Sequence, residues 1–225
     1  MCYSVVETSD NSKTIYDERF KTNFHSINGA FQESKHIFIE SAMGYYIDKQ
    51  MKDNIKILEF GFGTGLNMLL TLDYAIRHNI SIEYHSIEKF ILNKEIIEKL
   101  SYCETLNLNQ FEGFYFNIFN DFTNVNKYDE SFIFKGYLTD FIEFSTNEKY
   151  DLIYFDAFGP TEHPEVWQKP FLNIIPKLMT ENGILTTFSV KGSFRRDLKS
   201  LGLDVEKIPG PLGKREITRA IKKSG

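Results

Sequence analysis

Short apolar runs alternate with longer segments of helical periodicity along most of the chain. The clearest run is Ile55–Leu58, which continues through Glu59 and Phe60 into a glycine-rich loop, and a helical pattern follows over Asn67–Ala75. Tyr150–Phe155 is nearly continuously apolar, as expected of a parallel strand that is covered on both faces. This alternation of strands and helices predicts an α/β fold built on a doubly wound, mostly parallel sheet.

The same patterns assign most of the remaining chain. Strands are predicted at Ser81–Ile87, Ser131–Phe134 and Ile184–Phe188, a final pair at Asp204–Ile208 and Glu216–Ile221, and helices at Glu33–Tyr46, Lys94–Tyr102, Thr139–Phe144, Val166–Leu178 and Phe194–Leu201. Thr14–Phe24 has aromatic residues in partial alternation, which indicates an extended pair. Met1–Asn11 is expected to fray, Ser34 to cap a helix and Asn182-Gly183 to form a turn. Leu106–Lys127 is left unassigned.

The loop Gly61-Phe62-Gly63-Thr64-Gly65 joins a predicted strand to a predicted helix, which is the setting of a nucleotide-type binding turn. Its G-x-G-x-G spacing differs from the dinucleotide pattern G-x-G-x-x-G, and it lacks the lysine of a P-loop. Glu59, two residues before the first glycine, would repel a phosphate and suit a cationic group. The combination favours S-adenosylmethionine (AdoMet), with its amino and sulfonium groups, over a glycine turn that serves packing alone.

Four further residues follow predicted strands and are expected near the same edge of the sheet. Glu88 could hydrogen-bond the ribose hydroxyls of a nucleoside, or be an acid that stabilises a helix start. Tyr137 could hold an adenine or be a half-buried surface tyrosine. Asp156 is either an acceptor-site residue or a turn aspartate. Phe158 either stacks on a base or packs in the core.

Composition narrows the class of protein. With 225 residues, the chain is expected to form one compact unit with a full core, and no apolar run approaches the ~20 residues of a membrane span. The first residues lack the basic and apolar regions of a signal peptide. The two cysteines and the five histidines form no metal-ligand pattern. A cytoplasmic protein without a membrane segment or a bound metal is therefore expected.

The net charge of −5 is unevenly distributed along the chain. Residues 191–223 contain ten Lys or Arg and four Asp or Glu, a net of +6, so the remainder carries −5 − 6 = −11. A basic segment on an acidic protein is compatible with a polyanion bound at one face, although a solvated surface gives the same pattern.

Several stretches together resemble one family of RNA-modifying enzymes. They are ILEFGFGTGLN, SIEKF, YFDAFGPTEHPEVW, GILTTFSVKGSFRRDLKSLG and PGPLGKRE, with FHSINGAFQESKHIFIE near the N-terminus. The chain resembles the tRNA 5-methylaminomethyl-2-thiouridine methyltransferases of the MnmC/MnmD group. The resemblance implies a class I AdoMet-dependent methyltransferase fold, Rossmann-like, with six parallel strands and one antiparallel. It implies methylation of the exocyclic amine of 5-aminomethyl-2-thiouridine at the tRNA wobble position, in the anticodon region.

The resemblance also assigns roles to residues. The cofactor-binding positions are Glu59, Gly61, Phe62, Gly63, Gly65, Asn67, Glu88, Lys89 and Tyr137, the last where related members have Asp in a Gly-Asp pair. Asp156 is implied to bind and orient the amine, and Phe158, Gly159 and Pro160 to complete the acceptor site. The expected phosphate contacts are Lys191, Arg195, Arg196, Lys214 and Arg215, so tRNA binding should weaken with salt. Because an ordinary aspartate has a pKa of about 3.9, Asp156 is expected to orient the amine more than to deprotonate it.

The resemblance carries an expectation about domains. Residues 1–50 are an N-terminal extension expected to cover the site, and residues 51–225 the methyltransferase domain. Two-domain members carry an additional flavin-dependent oxidase, for which 225 residues leave no room. A stand-alone methyltransferase would depend on other enzymes to install the aminomethyl group. Two alternatives remain open: a small-molecule amine methyl- or aminopropyl-transferase, which would not need the basic segment, and a non-catalytic RNA-binding module.

Overall fold

The computed structural model describes residues 3–223, which form two sheets flanked by helices. The strands are β1 (Tyr3–Glu7), β2 (Lys13–Asp17), β3 (Thr22–Asn23), β4 (Asn54–Phe60), β5 (Ser81–Glu88), β6 (Val125–Lys127), β7 (Phe132–Leu138), β8 (Tyr150–Phe155), β9 (Met179–Thr187), β10 (Leu203–Pro209) and β11 (Glu216–Lys222). The helices are α1 (Ala30–Ser34), α2 (Tyr45–Gln50), α3 (Leu66–His78), α4 (Lys94–Glu98), α5 (Tyr102–Thr105), α6 (Glu112–Asn120), α7 (Lys169–Leu172), α8 (Ile175–Leu178) and α9 (Gly192–Ser200). A π-helical segment, Lys35–Gly44, joins α1 to α2, and 3₁₀ turns lie at Asn109–Phe111 and Pro164–Trp167.

The main sheet has the order β10-β11-β9-β8-β4-β5-β7-β6. Strands β4, β5, β7, β8 and β9 are parallel, β11 is antiparallel to β9, and β10 is antiparallel to β11 and therefore parallel to the rest. The expected doubly wound α/β fold with six parallel strands and one antiparallel is confirmed. The short strand β6 pairs antiparallel with β7 at the far edge, which the sequence did not predict.

Both faces of this sheet are covered, as the apolar strands require. Along β4, Ile55 and Ile57 belong to one hydrophobic cluster, whereas Leu58 and Phe60 belong to the other. The chain winds outward from β4 through β5 to β7, and then returns to β8 on the other side of β4. The switch point between β4 and β8 is where open α/β sheets form their ligand crevice.

The N-terminal residues are more ordered than the sequence predicted. Strand β1 pairs antiparallel with β2, and β2 with β3, so the prediction that Met1–Asn11 frays is wrong for the described residues. The extended pair predicted within Thr14–Phe24 is confirmed. Ser34 is not an N-cap but an interior residue, because helical structure begins at Ala30 after Gly29 and continues to Gln50. Periodicity located this helix, but its start depends on the turn that precedes it.

Four other local predictions need correction. Thr139–Phe144 is not a helix, and Gly136 lies inside β7 because that strand extends to Leu138. The helical stretch predicted at Val166–Leu178 is broken into short pieces by its prolines, which lack an N–H for helix bonding. Asn182, with φ of 60°, lies in a register irregularity within β9 rather than in a turn between elements.

Candidate active site

A cavity of about 460 Å³ opens at the carboxyl ends of β4, β5 and β8. The glycine loop, the loop after β8 and the segment after β3 all contribute to its wall. Residues that line the cavity include Phe20, Phe24, His25, Glu33, Gly61, Gly63, Asn67, Glu88, Lys89, Phe90, Asp140, Phe141, Asp156, Phe158, His163, Phe188 and Lys214. The sheet edge therefore collects the candidate residues that follow different strands.

The glycine loop is shaped by close backbone approaches. Gly61 and Asp156 follow paired positions at the ends of β4 and β8, and Gly61 has φ of 96°. A Cβ at Gly61 would lie 2.7 Å from the carbonyl oxygen of Asp156, so only glycine fits there. Gly63 and Gly65 also have positive φ, of 50° and 71°, and α3 begins directly after Gly65. The loop thus turns sharply from strand to helix beside Asp156.

Glu88 is fixed by backbone donors at the end of β5. Its Oε2 accepts the N–H of Gly63 at 3.1 Å, and its Oε1 accepts the N–H groups of Lys89 and Phe90 at 2.8 and 2.9 Å. Burial raises the pKa of Glu88 even though these donors oppose the shift. The carboxylate keeps acceptor capacity on the cavity side, since two oxygens offer about four lone-pair sites.

Glu59 lies beneath the cavity rather than in its wall. It is fully buried, and its oxygens accept hydrogen bonds from Asn67 Nδ2 at 3.0 Å and Ser86 Oγ at 2.8 Å. Burial raises its pKa well above the ordinary value. Asn67 Nδ2 also donates to Asp156 Oδ2 at 2.8 Å, so one amide group joins the two carboxyl groups.

Asp156 forms part of the cavity wall next to the glycine loop. Its backbone N–H donates to the carbonyl of Phe60 at 3.0 Å, which continues the sheet pairing into the loop. Burial raises the pKa of Asp156 to about 8; the Asn67 amide opposes the shift, Glu33 adds to it, and Lys214 opposes it. The expectation of an ordinary aspartate is therefore wrong, because desolvation outweighs the hydrogen bond.

Aromatic rings form the wall beyond Asp156. Phe158 lies 5.3 Å from Phe20, 5.0 Å from Phe24 and 5.9 Å from His163, measured between ring centroids. The carbonyl of Phe158 accepts a hydrogen bond from Trp167 Nε1 at 2.8 Å, which fixes the loop after β8. Gly159 also lines the cavity, whereas Pro160 is not among its lining residues. Phe20 and Phe24 of the N-terminal segment contribute to this aromatic wall.

Another part of the cavity wall is charged, and the sequence did not predict it. Glu33, on α1, accepts the N–H of Ser26 at its Oε2 (2.8 Å) and forms an ion pair with Lys214 through its Oε1. The Lys214 ammonium lies 4.6 Å from the centroid of the Phe188 ring. His25 lies in the same wall, and burial lowers its pKa to about 4, so its imidazole is neutral. Sequence distance hid this cluster, since its members come from opposite ends of the chain.

Four cofactor-binding predictions change. Glu59 and Gly65 do not line the cavity, because Glu59 lies beneath it and Gly65 leads into α3. Tyr137 is not among the cavity-lining residues; its ring packs 5.0 Å from Phe144, and its hydroxyl lies 3.4 Å from His85 Nδ1, so the prediction that it holds adenine is wrong. Lys89 does line the cavity, but its ammonium pairs with Asp140 Oδ2 at 2.7 Å. Asp140, Phe90 and Phe141 line this end of the cavity and provide the polar and apolar surface that Tyr137 does not. Phe62 contributes to the wall while its ring packs in the core.

The five predicted phosphate contacts lie in three different environments. Lys191, Arg196 and Arg215 are exposed. Arg195 is buried, and its guanidinium donates to Thr218 Oγ1, Glu216 Oε2 and the Ile217 carbonyl at 2.8, 2.9 and 3.0 Å. The prediction that Arg195 contacts phosphate is therefore wrong, because those bonds hold α9 against β11. Lys214 faces the cavity, as described above.

The fold also brings together a group that the sequence did not show. His85 Nε2 lies 2.9 Å from Glu83 Oε1, and Glu148 is close enough for the three to share a cation. The ammonium of Lys56 forms ion pairs with both carboxylates and provides that positive charge itself. The expectation of no bound metal stays a prediction.

The cavity suits a nucleoside that carries a positive charge. Backbone turns at Gly61 and Gly63 leave space beside Glu88, where a ribose would find carboxylate oxygens. Within residues 3–223, Oδ1 of Asn67 is buried and has no hydrogen-bond donor, while its Nδ2 holds Asp156 at the cavity wall. Asp156 and Glu33 add carboxyl groups on the far side. Within the described residues, no helix is long and apolar enough to cross a membrane.

Fold and cavity together define a nucleoside-dependent group-transfer enzyme of the doubly wound α/β class. Residues 91–223 match the family model of S-adenosyl-L-methionine-dependent methyltransferases. The chain therefore belongs to that family, and AdoMet is its cofactor. The match covers more than half of the chain, including the loop that carries Asp156.

Individual relatives agree with this assignment. The tRNA 5-methylaminomethyl-2-thiouridine biosynthesis bifunctional protein MnmC of Leptospira interrogans is 31% identical over 219 residues, which cover 93% of this chain and 34% of that protein. MnmC of Campylobacter hominis is 27% identical over 224 residues, which cover 92% and 31%. The chain thus spans about a third of the length of these curated relatives. The crystal structure of MNMC2 from Aquifex aeolicus matches with a TM-score of 0.78 and 26% identity, over 99% of this chain and 71% of that chain.

Proposed function

We propose that this chain transfers the methyl group of AdoMet to the primary amine of 5-aminomethyl-2-thiouridine at the wobble position of tRNA. The observation that carries the proposal is the half-buried carboxyl group of Asp156 in the cavity wall, placed between the AdoMet-type glycine loop and an aromatic wall. The similarity to MnmC proteins, which are named for tRNA 5-methylaminomethyl-2-thiouridine biosynthesis, supports the choice of nucleoside.

The cofactor supplies a methyl group that is already activated by its sulfonium. Glu88 would bind the ribose, with the N–H of Gly63 holding its carboxylate in place. Asn67, whose amide Glu59 keeps oriented, would hold Asp156 in place beside the cofactor. Phe90 and Phe141 offer apolar surface at the end of the cavity near Glu88.

Asp156 would bind the substrate amine and hold it towards the methyl group. A primary alkylamine has a solution pKa of about 10.4, so it arrives as an ammonium ion. An ammonium beside Asp156 favours the ionised carboxylate. Without the substrate, burial raises the pKa of Asp156 to about 8, and the bound ammonium lowers it again, so Asp156 would be the carboxylate that holds the ammonium and accepts the proton it must lose before methyl transfer.

The aromatic wall would receive the base. Phe158 is held by the bond from Trp167, and Phe20 lies on its other side, so a planar uracil could stack on either ring. Because Phe20 and Phe24 belong to the N-terminal residues, we infer that residues up to 50 act as the cover of the site rather than as a separate binding unit.

The surface cations would bind the anticodon region of tRNA. Lys191, Arg196 and Arg215 are exposed in the segment that carries a net positive charge. Phosphate contacts of this kind give affinity that falls steeply with salt. The aminomethyl group would be installed beforehand by other enzymes, because a methyl transfer cannot create it. A cytoplasmic location is part of this proposal, since that is where such a tRNA would be met.

The experiment is methyl transfer from labelled AdoMet to tRNA that carries unmethylated 5-aminomethyl-2-thiouridine. The control is the same tRNA without the aminomethyl group. We expect label on the first tRNA alone. Label on a small amine such as a polyamine, with none on either tRNA, would favour a small-molecule transferase; AdoMet binding without any transfer would favour a non-catalytic RNA-binding module.

A further inference from the structure

Besides Asp156, the carboxylate of Glu33 on α1 lines this side of the cavity. Glu33 is 9% exposed, and the Ser26 N–H donates a hydrogen bond to its Oε2 at 2.8 Å. The sequence distance between Glu33 and the strands of the core gave no reason to expect it at the site. A carboxylate fixed in the wall of a substrate cavity is positioned to recognise a cation.

Glu33 already binds a primary ammonium, that of Lys214. The side chain of Lys214 comes from the loop between β10 and β11, and its Nζ also lies 4.6 Å from the centroid of Phe188. A carboxylate and an aromatic face are the two groups that recognise alkylammonium ions in proteins. The bound Lys214 side chain therefore shows that this part of the cavity accommodates a primary alkylammonium group.

Asp156 and Glu33 act on one another through charge. Glu33 raises the pKa of Asp156, and Lys214 lowers it, although burial is the larger cause. The other titratable or charged groups in this part of the cavity wall are His25 after β3, and Glu162 and His163 on the loop after β8, while Glu59 on β4 lies beneath the wall. His25 is neutral, because burial lowers its pKa to about 4. A cation that enters between Asp156 and Glu33 would interact favourably with both.

We propose that Glu33 is a second amine-binding residue, which together with Asp156 brackets the substrate ammonium, and that Lys214 occupies this carboxylate until the substrate arrives. The proposal rests on the proposed function for the identity of the amine. It explains why residues of the N-terminal extension reach the cavity: they complete the acceptor site as well as cover it. It gives the lysine of the Gly-Lys-Arg-Glu sequence a place in the cavity instead of on a tRNA phosphate.

The first test compares two tRNAs, with and without the aminomethyl group, binding to the full-length protein. Glu33→Gln should reduce the preference for the aminomethylated tRNA about tenfold, while affinity for the unmodified tRNA and for AdoMet stays within about twofold. Glu40→Gln is the matched control, because it removes the same charge from the same continuous helical segment outside the cavity. An unchanged preference in Glu33→Gln would overturn the proposal.

The second test needs no substrate. The carboxyl carbon of Asp156, assigned by its loss in Asp156→Asn, is titrated by NMR in ¹³C-labelled protein. Glu33→Gln should move the midpoint to lower pH and Lys214→Met should move it to higher pH, each by about 0.5–1. Opposite shifts would show that both charges act directly on Asp156, as a bracket around the substrate ammonium requires, and equal shifts or none would refute the proposal. This titration can be read even if methyl transfer to tRNA fails, so the two ideas are separately testable.

Discussion

The side-chain nitrogen of Asn67 lies 2.8 Å from Oδ2 of Asp156, so the first turn of α3 holds this aspartate directly. The same nitrogen donates to Glu59 at 3.0 Å. An amide NH₂ has two hydrogens, and each carboxyl group takes one. The glycine loop and the acceptor loop are therefore coupled through a single side chain, and the position of Asp156 follows from the start of the helix.

Replacing Asp156 tests the centre of this arrangement. Asp156→Asn keeps the size of the side chain but cannot bind an ammonium by charge or take its proton, so turnover should fall by roughly 10²–10⁴. The AdoMet dissociation constant, measured by calorimetry, should change less than about threefold. A variant that loses AdoMet binding instead would contradict the assigned role.

The raised pKa of Asp156 also predicts a pH dependence of stability. Its folded-state pKa of about 8 lies above the ordinary 3.8, so the folded protein binds this proton more tightly than the unfolded chain. Its contribution is therefore favourable at low pH and is lost as pH rises from about 4 to about 8. Asp156→Asn should be more stable than the parent by about 1–3 kcal/mol at pH 9 and show little difference at about pH 4.

Urea unfolding of both proteins at these two pH values measures that difference. The parent should lose more stability than the variant over this range. A constant difference between the two proteins would mean that Asp156 ionises normally in the fold.

Substitutions at Glu88 and at Tyr137 should affect AdoMet binding differently. Glu88→Ala removes the acceptor of the Gly63 N–H and the proposed ribose contact, so the AdoMet dissociation constant should rise about 10–100-fold. Tyr137→Phe should leave it unchanged, because the ring packs on Phe144 and the hydroxyl lies near His85, away from the cavity. Equilibrium binding of AdoMet to the two variants decides this, and weakened binding in Tyr137→Phe would restore the adenine role.

The exposed cations can be tested by charge reversal. Arg196→Glu combined with Arg215→Glu should weaken tRNA binding and reduce the slope of log affinity against log salt by about 1–2. The control is Lys49→Glu with Lys127→Glu, which makes the same change of charge at exposed positions outside residues 191–223. Equal effects in both double variants would mean that net charge, not this segment, controls tRNA affinity.

Local sequence was enough for the central part of the fold. The apolar runs at Ile55–Leu58 and Tyr150–Phe155 have the pattern of buried parallel strands, and a turn with glycines at fixed spacing must join a strand to a helix. Once strands are parallel, residues that follow them meet at one edge, which is why the sequence alone predicts Glu88 and Asp156 as site residues. The ends of helices and strands were predicted less well. The end of β7 and the start of α1, for example, depend on contacts with residues far along the chain.

Tertiary structure alone decided which charges belong to the site. Arg195 and Arg196 are adjacent in sequence, yet one is buried against β11 and the other is exposed, because α9 packs one face on the sheet. Lys214 meets Glu33 across the cavity because the final strand pair returns to the N-terminal helix. Periodicity indicates which side of an element is buried, but the partner of a charge, and with it the pKa of Asp156, is set by contacts between distant segments.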